Sequence, residues 1–336
     1  MLKASMTFEP THRVHLGQTF TSLQRGDFDP LFRAVRTAAG PAYWATARES
    51  GVGLLARFAR THPTDLLAPV QVTLWADPAQ ADLPAGAAAV PSALEAFAAR
   101  VSSWLGEADR WSSFTNSPAW EQLPGRLQRT RAENPGLRLP SIGLLSQNIL
   151  LAITEQRVTG MEAMGGMRAL LRQYGTPAPL TGQPDQPDGM IIFPDPTVFA
   201  GIPDWTYHRA GIDRARASAM MHYGQRAPSF ERFATTNPVS ELARALHSVP
   251  GIGPWTIAEA LQRYCGHPDA ISVGDYHLAH HVTYAFDGTR GDDVRMIQLL
   301  APFTGNRQRV IALIKAAGIS EPRRAPRYSP NDIRTL

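Results

Sequence analysis

The chain of 336 residues contains one cysteine, Cys265, and its 33 basic residues include just two lysines, Lys3 and Lys315. A single cysteine excludes an intrachain disulfide framework, a four-cysteine iron–sulfur cluster and a zinc ribbon, and it fits a reducing cytoplasm. So few lysines leave little choice for any chemistry that needs an amine nucleophile. Long apolar runs are missing as well. The most apolar stretch, 142–153, is interrupted by Ser146, Gln147 and Asn148, so no membrane span is expected. The opening Met1-Leu2-Lys3-Ala4-Ser5 lacks the hydrophobic run of a secretory signal. Charge is sparse, at 18% of residues with a net +4; that balance permits nucleic-acid binding without demanding it. What is present is core material: 43% of residues are hydrophobic, in a chain long enough for two domains.

Strand and helix signals mix up to about residue 135. Val70, Val72 and Leu74 alternate with Gln71 and Thr73, as in a half-buried strand. Residues 43–48 and 52–58, joined by Glu49-Ser50-Gly51, read as a β-hairpin. Ser92 reads as the cap of a helix with Leu94, Phe97, Val101 and Trp104 on one face. An arginine-rich stretch follows over 125–139, with Pro135-Gly136 as a boundary. Beyond 140 the helical period dominates. It predicts helices over 141–158, 160–174, 212–223, 230–235, 239–247, 255–265, 276–286, 292–300 and 306–316. The proline-rich segment 175–196 is expected to be irregular. The expected division is 1–135, 136–320 and a basic tail over 321–336.

Two segments carry chemistry. Val249-Pro250-Gly251-Ile252-Gly253-Pro254-Trp255-Thr256 reads as a tight turn between two helices. Gly251 and Gly253 are expected to supply backbone angles closed to other residues, and Pro254 suits a first helical turn. The amides there would be bare, and a helix N-terminus with bare amides binds anions such as a DNA phosphate without reading sequence. A compact turn between packed helices is the plainer reading of the pentapeptide alone. Asp275 precedes a further helix bearing Leu278 and Val282. As a helix cap it would accept amide hydrogen bonds. The same placement favours an ionised carboxylate, which could stabilise positive charge developing on a sugar as a glycosidic bond breaks.

These residues resemble the helix-hairpin-helix, glycine/proline-rich, aspartate DNA glycosylase superfamily, in its 3-methyladenine DNA glycosylase II branch. The resemblance extends to Ile153-Thr154-Glu155-Gln156-Arg157-Val158-Thr159-Gly160-Met161-Glu162-Ala163, to Ala210-Gly211-Ile212-Asp213-Arg214-Ala215-Arg216-Ala217 and to Pro302-Phe303-Thr304-Gly305-Asn306-Arg307-Gln308-Arg309-Val310. It implies an α+β chain: an N-terminal antiparallel β-sheet domain with helices, then a mainly α-helical glycosylase domain. Asp275 matches the catalytic aspartate. Pro250, Gly251, Ile252, Gly253 and Thr256 match the DNA-gripping hairpin, whose carbonyls in the family often hold a monovalent cation. Trp255 stands where strand-nicking members carry a Schiff-base lysine and alkylbase members a tryptophan, and Tyr276 matches an aromatic beside the acid. Arg157, after Gln156, falls near the residue that wedges into the gap left by a flipped base, and Phe303 near a pocket aromatic. Glu259 replaces an aromatic expected one turn beyond Trp255, which leaves the preferred lesion open.

Neither lysine lies near the hairpin in sequence, and Lys3 is placed at an end expected to be disordered. The implied enzyme is therefore a monofunctional DNA glycosylase, stacking an alkylated purine on Trp255 and Tyr276, cofactor-free, monomeric, acting on double-stranded DNA in the cytoplasm beside the nucleoid. Two rival readings remain. Helix-hairpin-helix turns also occur in non-catalytic DNA-binding proteins, which would not need Asp275. Asp275, His277, His280 and His281 cluster, with His277 and His281 at i, i+4, a spacing that can chelate zinc. No glutamate sits between them as in H-E-x-x-H, so histidines on a DNA-facing helix are the plainer reading and no metal is expected.

Overall fold

The computed structural model describes residues 1–78 and 88–320; the basic tail expected over 321–336 lies outside the described residues. An antiparallel sheet comes first, made by β1 (Leu2–Phe8), β2 (Phe32–Thr37), β3 (Gly40–Glu49), β4 (Val52–Arg60) and β5 (Val70–Ala76), with a short helix α1 (Leu16–Phe20) before β2. The strand order is β1-β5-β4-β3-β2. The predicted hairpin is β3–β4, with Glu49 opposite Val52. Its turn residues Ser50 and Gly51 both have positive φ (48° and 80°), as a two-residue hairpin loop requires.

The sheet is covered on both sides. Tyr43, Leu54, Phe58, Val72 and Leu74 face a core shared with Phe97, Val101 and Trp104 of α2 (Ala89–Trp104). Trp44, Leu55 and Trp75 face the other way against Ala178 and Met190, and the two indoles stack at 5.4 Å. The proline-rich segment therefore covers the outer sheet face, and it contains a small ladder of β6 (Thr176–Pro177) and β7 (Ile191–Ile192). The expected Ser92 cap is not formed: α2 begins earlier, after Ala88, without a side-chain cap. Lys3, expected in a disordered end, is instead in β1, paired with Trp75.

Short helices α3 (Trp111–Thr115), α4 (Pro118–Glu121) and α5 (Gly125–Glu133) follow. The helical body comprises α6 (Leu145–Thr154), α7 (Gly160–Tyr174), α8 (Asp204–Arg209), α9 (Arg214–Thr236), α10 (Val239–His247), α11 (Pro254–Tyr264), α12 (Leu278–Asp287), α13 (Asp293–Leu300) and α14 (Arg307–Ala316). The two helices predicted over 212–223 and 230–235 are one, α9, which runs through Pro228. One core joins α6 to α11. Another joins Trp111, Phe114, Leu127 and Leu137 to α12–α14. The cores thus do not divide at 135: residues 111–137 pack with the C-terminal helices. Among the described residues no helix is long and apolar enough to cross a membrane.

Asp109 locks this crossover in place. Its carboxylate accepts from Arg309 Nε (2.8 Å) and from the Leu139 amide (2.9 Å), and both side chains are buried. Removing one partner of a buried pair strands the other charge. Asp109→Ala should lower stability by about 3–5 kcal/mol, measured by denaturant titration; a loss within error of zero would show that the crossover does not depend on the pair.

Candidate functional site

The turn between α10 and α11 is fixed from behind by apolar residues. Leu242, Leu246, Val249 and Ile252 all enter the core around α6 and α9. Gly251 has φ +86°, and a Cβ there would lie 2.6 Å from the Ala219 Cβ, so glycine is required on both counts. Gly253 differs from the expectation. Its φ of −101° and ψ of 178° are open to any residue, and a Cβ would meet nothing within 4 Å. Only a group approaching from outside gains from the missing side chain. Pro254 opens α11. Among the described residues, the amides of Gly251, Gly253 and Trp255 donate to no acceptor, which leaves a helix start with the means to hold an anion.

Not every expected contact residue faces outward. Ile252 and Thr256 are 3% and 2% exposed. The Gln156 side-chain amide donates to the Gly251 carbonyl (2.9 Å) and to Thr256 Oγ1 (2.8 Å), so it braces the turn internally. The Val249 carbonyl accepts the Ile252 amide, and the Ile252 carbonyl lies 3.4 Å from His247 Nδ1. Each carbonyl keeps a second lone pair, but nothing in this donor set singles out a cation. Arg157 is exposed and has φ +56°, in a region that costs a non-glycine residue roughly 1–2 kcal/mol. Its neighbours hold it there: Glu155 pairs with Arg25 at 2.7 Å and Gln156 grips the hairpin.

Asp275 is half-buried. Oδ1 accepts the His277 and Leu278 amides, both at 2.9 Å, so the acid does accept amides at the helix start, but α12 starts later than predicted and its N-cap is His277, not Asp275. Oδ2 accepts the Trp255 indole N–H at 3.3 Å. The carboxylate is therefore oriented from two elements. Tyr276 next to it is 77% exposed, meeting His277 edge to face at 4.8 Å. Phe303, in contrast, is 1% exposed in the core with Phe114 and Phe286. It has no face to offer a base, which corrects its assignment to the pocket; an aromatic beside a 3-10 turn looks alike in a core and in a pocket.

Beyond Trp255 the lining is polar. Glu259 accepts from Arg263 at 2.8 Å and from the Ser272 hydroxyl. Gln262 donates to Ser272 (3.0 Å), and Gln308 of α14 donates to Gln262 (3.1 Å). Burial alone would push the Glu259 carboxyl up; Arg263 and Ser272 outweigh that and hold it at about 2. Lys315 on α14 also faces this cluster, within coulombic reach of Glu259, Arg263 and Asp275. Burial pushes its ammonium below the usual lysine range; Glu259 and Asp275 pull the other way and Arg263 adds to the drop. Much of the side chain is nonetheless exposed to solvent. In sequence Lys315 is remote from the hairpin and no motif singles out Arg263, Ser272 or Gln262; the one available signal is the i, i+4 spacing of Glu259 and Arg263.

The histidines are arranged for packing. His277 and His281 rings stack at 5.9 Å, and both ring nitrogens of His280 are engaged, by the Gly291 carbonyl and Arg290. Burial and His277 push the His281 imidazole below its ordinary value. Among the described residues no group of three histidine, cysteine or acidic side chains could hold a metal ion.

No protein-family model and no curated protein sequence matches the chain, but solved structures do. A 3-methyladenine DNA glycosylase from Archaeoglobus fulgidus is similar at TM-score 0.67 and 13% identity, over 92% of this chain and 97% of its own. MBOgg1, solved in complex with a low-affinity DNA ligand, is similar at TM-score 0.63 and 15% identity, over 95% and 98%. The apo-form of an 8-oxoguanine glycosylase/lyase from Clostridium acetobutylicum is similar at TM-score 0.62 and 12% identity, over 93% and 96%. At such identities the likeness is one of fold, and it spans both the sheet and the helical body, as the α+β expectation requires.

Two outcomes are expected. Gly251→Ala should cost roughly 1–3 kcal/mol through strain and the Ala219 contact, whereas Gly253→Ala should leave the melting temperature unchanged; equal losses would refute the distinction. Glu259 titrates at about 2 against an ordinary 4.5, so its contribution to stability is present above pH 4.5 and is lost as pH falls toward 2. Glu259→Gln should flatten that acid limb of the stability profile; an unchanged limb would refute the assignment.

Proposed function

We propose that this chain, which has the fold of the helix-hairpin-helix DNA glycosylases, is itself a DNA glycosylase: it flips a damaged base out of duplex DNA and hydrolyses the N-glycosidic bond, with Asp275 as the catalytic carboxylate. The observation that carries this reading is a single carboxylate fixed by three donors from two helix starts, beside the unpaired amides of the α10–α11 turn.

The steps follow from the geometry. A backbone phosphate oxygen approaches Gly253, where no side chain stands in the way, and accepts from the free amides at the start of α11. Such a contact positions the strand without reading sequence. Arg157, exposed on a backbone held in a strained conformation, enters the gap left by the flipped nucleotide. As the glycosidic bond stretches, positive charge builds on the deoxyribose, and the Asp275 carboxylate stabilises it and orients the attacking water. The hairpin offers Trp255 and no amine, so base release is hydrolytic and leaves an abasic site.

An alkylated purine suits the two aromatics. It is electron-poor or cationic and leaves readily, so little acid catalysis is needed. Trp255, its edge tied to Asp275, and the exposed Tyr276 offer faces to it, and a cation–π contact contributes about 0.5–2 kcal/mol. The polar lining brings two anions, Glu259 and Asp275, against two cations, Arg263 and Lys315, so net charge does not select the base. The partner is double-stranded DNA, and the chain acts as a monomer without a cofactor.

The test uses duplexes each holding one lesion: alkylated adenine, alkylated guanine, hypoxanthine or 8-oxoguanine. The wild-type chain should release an alkylated base fastest. Asp275→Asn should slow release by about 100-fold or more while duplex binding persists. Base release at the wild-type rate in that variant would end the catalytic assignment and leave a DNA-holding protein.

A further inference from the structure

Lys315 is the group in the site that base hydrolysis does not use. Its position on α14 places it there. Gln308 and Lys315 lie seven residues apart on α14, two helical turns along one face. Gln308 hydrogen-bonds Gln262 of α11, so that face of α14 looks onto α11 and the Ser272–Glu259 network. At its far end the Lys315 ammonium is in coulombic reach of Glu259, Arg263 and Asp275 and acts on His281 of α12. Among the described residues it makes no hydrogen bond or ion pair, and it is solvent-accessible. The other lysine, Lys3, is far away in β1, with its ammonium over the Trp75 ring.

We infer that Lys315 is an amine nucleophile for the abasic sugar, giving this protein a strand-nicking activity that follows base release; the inference rests on the glycosylase reading for the origin of that sugar. The amine comes from the last helix, while the hairpin position that would otherwise supply one holds Trp255.

The chemistry balances without a redox partner. After the base leaves, the C1′ hemiacetal opens to an aldehyde. The neutral amine adds to C1′, and the C1′ oxygen departs as water, leaving a protonated imine. That imine makes the C2′ proton acidic. His281, whose imidazole burial and His277 push toward the neutral form, or the Asp275 carboxylate takes the proton. The freed electron pair forms the C2′–C3′ double bond as the C3′–O bond breaks, and the 3′ phosphate leaves. Water then hydrolyses the imine, returning the amine and an unsaturated aldehyde. Burial of the ammonium, with Arg263 beside it, lowers the cost of the neutral amine that the first step needs.

The test starts from a duplex carrying a preformed abasic site, so it is independent of base release and separates failure of this inference from failure of the glycosylase reading. The full chain, Lys315→Ala, Lys315→Arg and Lys3→Ala are incubated with that duplex, with and without borohydride. The expected result is nicking by the wild-type chain without alkali, a borohydride-trapped covalent adduct mapping to Lys315 by peptide mass, and full activity in Lys3→Ala. Lys315→Arg keeps the charge but lacks a usable nucleophile, and with a wild-type melting temperature it should nick roughly 10-fold more slowly or worse. An adduct on Lys3 or the N-terminal amine, undiminished nicking in the Lys315 variants, or no nicking by the wild-type chain would each overturn the inference.

Discussion

The hydrogen bond between the Trp255 indole and Asp275 ties together two helix starts, and the site depends on that meeting. Trp255 belongs to the first turn of α11, and Asp275 accepts the amides that lead into α12. One helix start is left with free amides and the other is satisfied by the acid it carries. The partial positive charge of both therefore converges where a phosphate and a developing sugar cation have to be managed close together. The acid offsets that field on one side and leaves it available on the other.

Holding α11 and α12 together falls to parts of the chain remote from either. Residues 111–137 cross over to pack with α12–α14, and the buried Asp109–Arg309 pair pins α14 to that crossover. With α14 fixed, Gln308 reaches α11 and Lys315 comes to the edge of the site. A segment that reads in sequence as the end of the first domain is, physically, the backing of the last helix.

Local patterns were legible wherever local physics decides the structure. The β3–β4 hairpin follows from alternation broken by two turn residues, and α10 is found at its predicted bounds because Pro238 and the Pro-Gly turn delimit an amphipathic run. β1 has too little flanking punctuation to stand out, and α9 was split because an internal proline is read as a break unless packing overrides it. In the site, the hairpin and Asp275 were readable as motifs. Their roles in detail were not: that Gln156 braces the turn, that Phe303 is core and that α14 turns its Gln308 face to α11 are facts of packing between distant segments, which carry no signature in spacing.

Arg157 has the backbone of a glycine and the side chain of the bulkiest cation. A glycine at that position would relax the fold, and the surrounding contacts, Arg25 with Glu155 and Gln156 with the hairpin, would survive the exchange. The Cβ at a left-handed backbone holds this turn slightly above its minimum, and among the described residues the guanidinium makes no hydrogen bond or ion pair in return. The strained turn presents that guanidinium to solvent instead of folding it into the core.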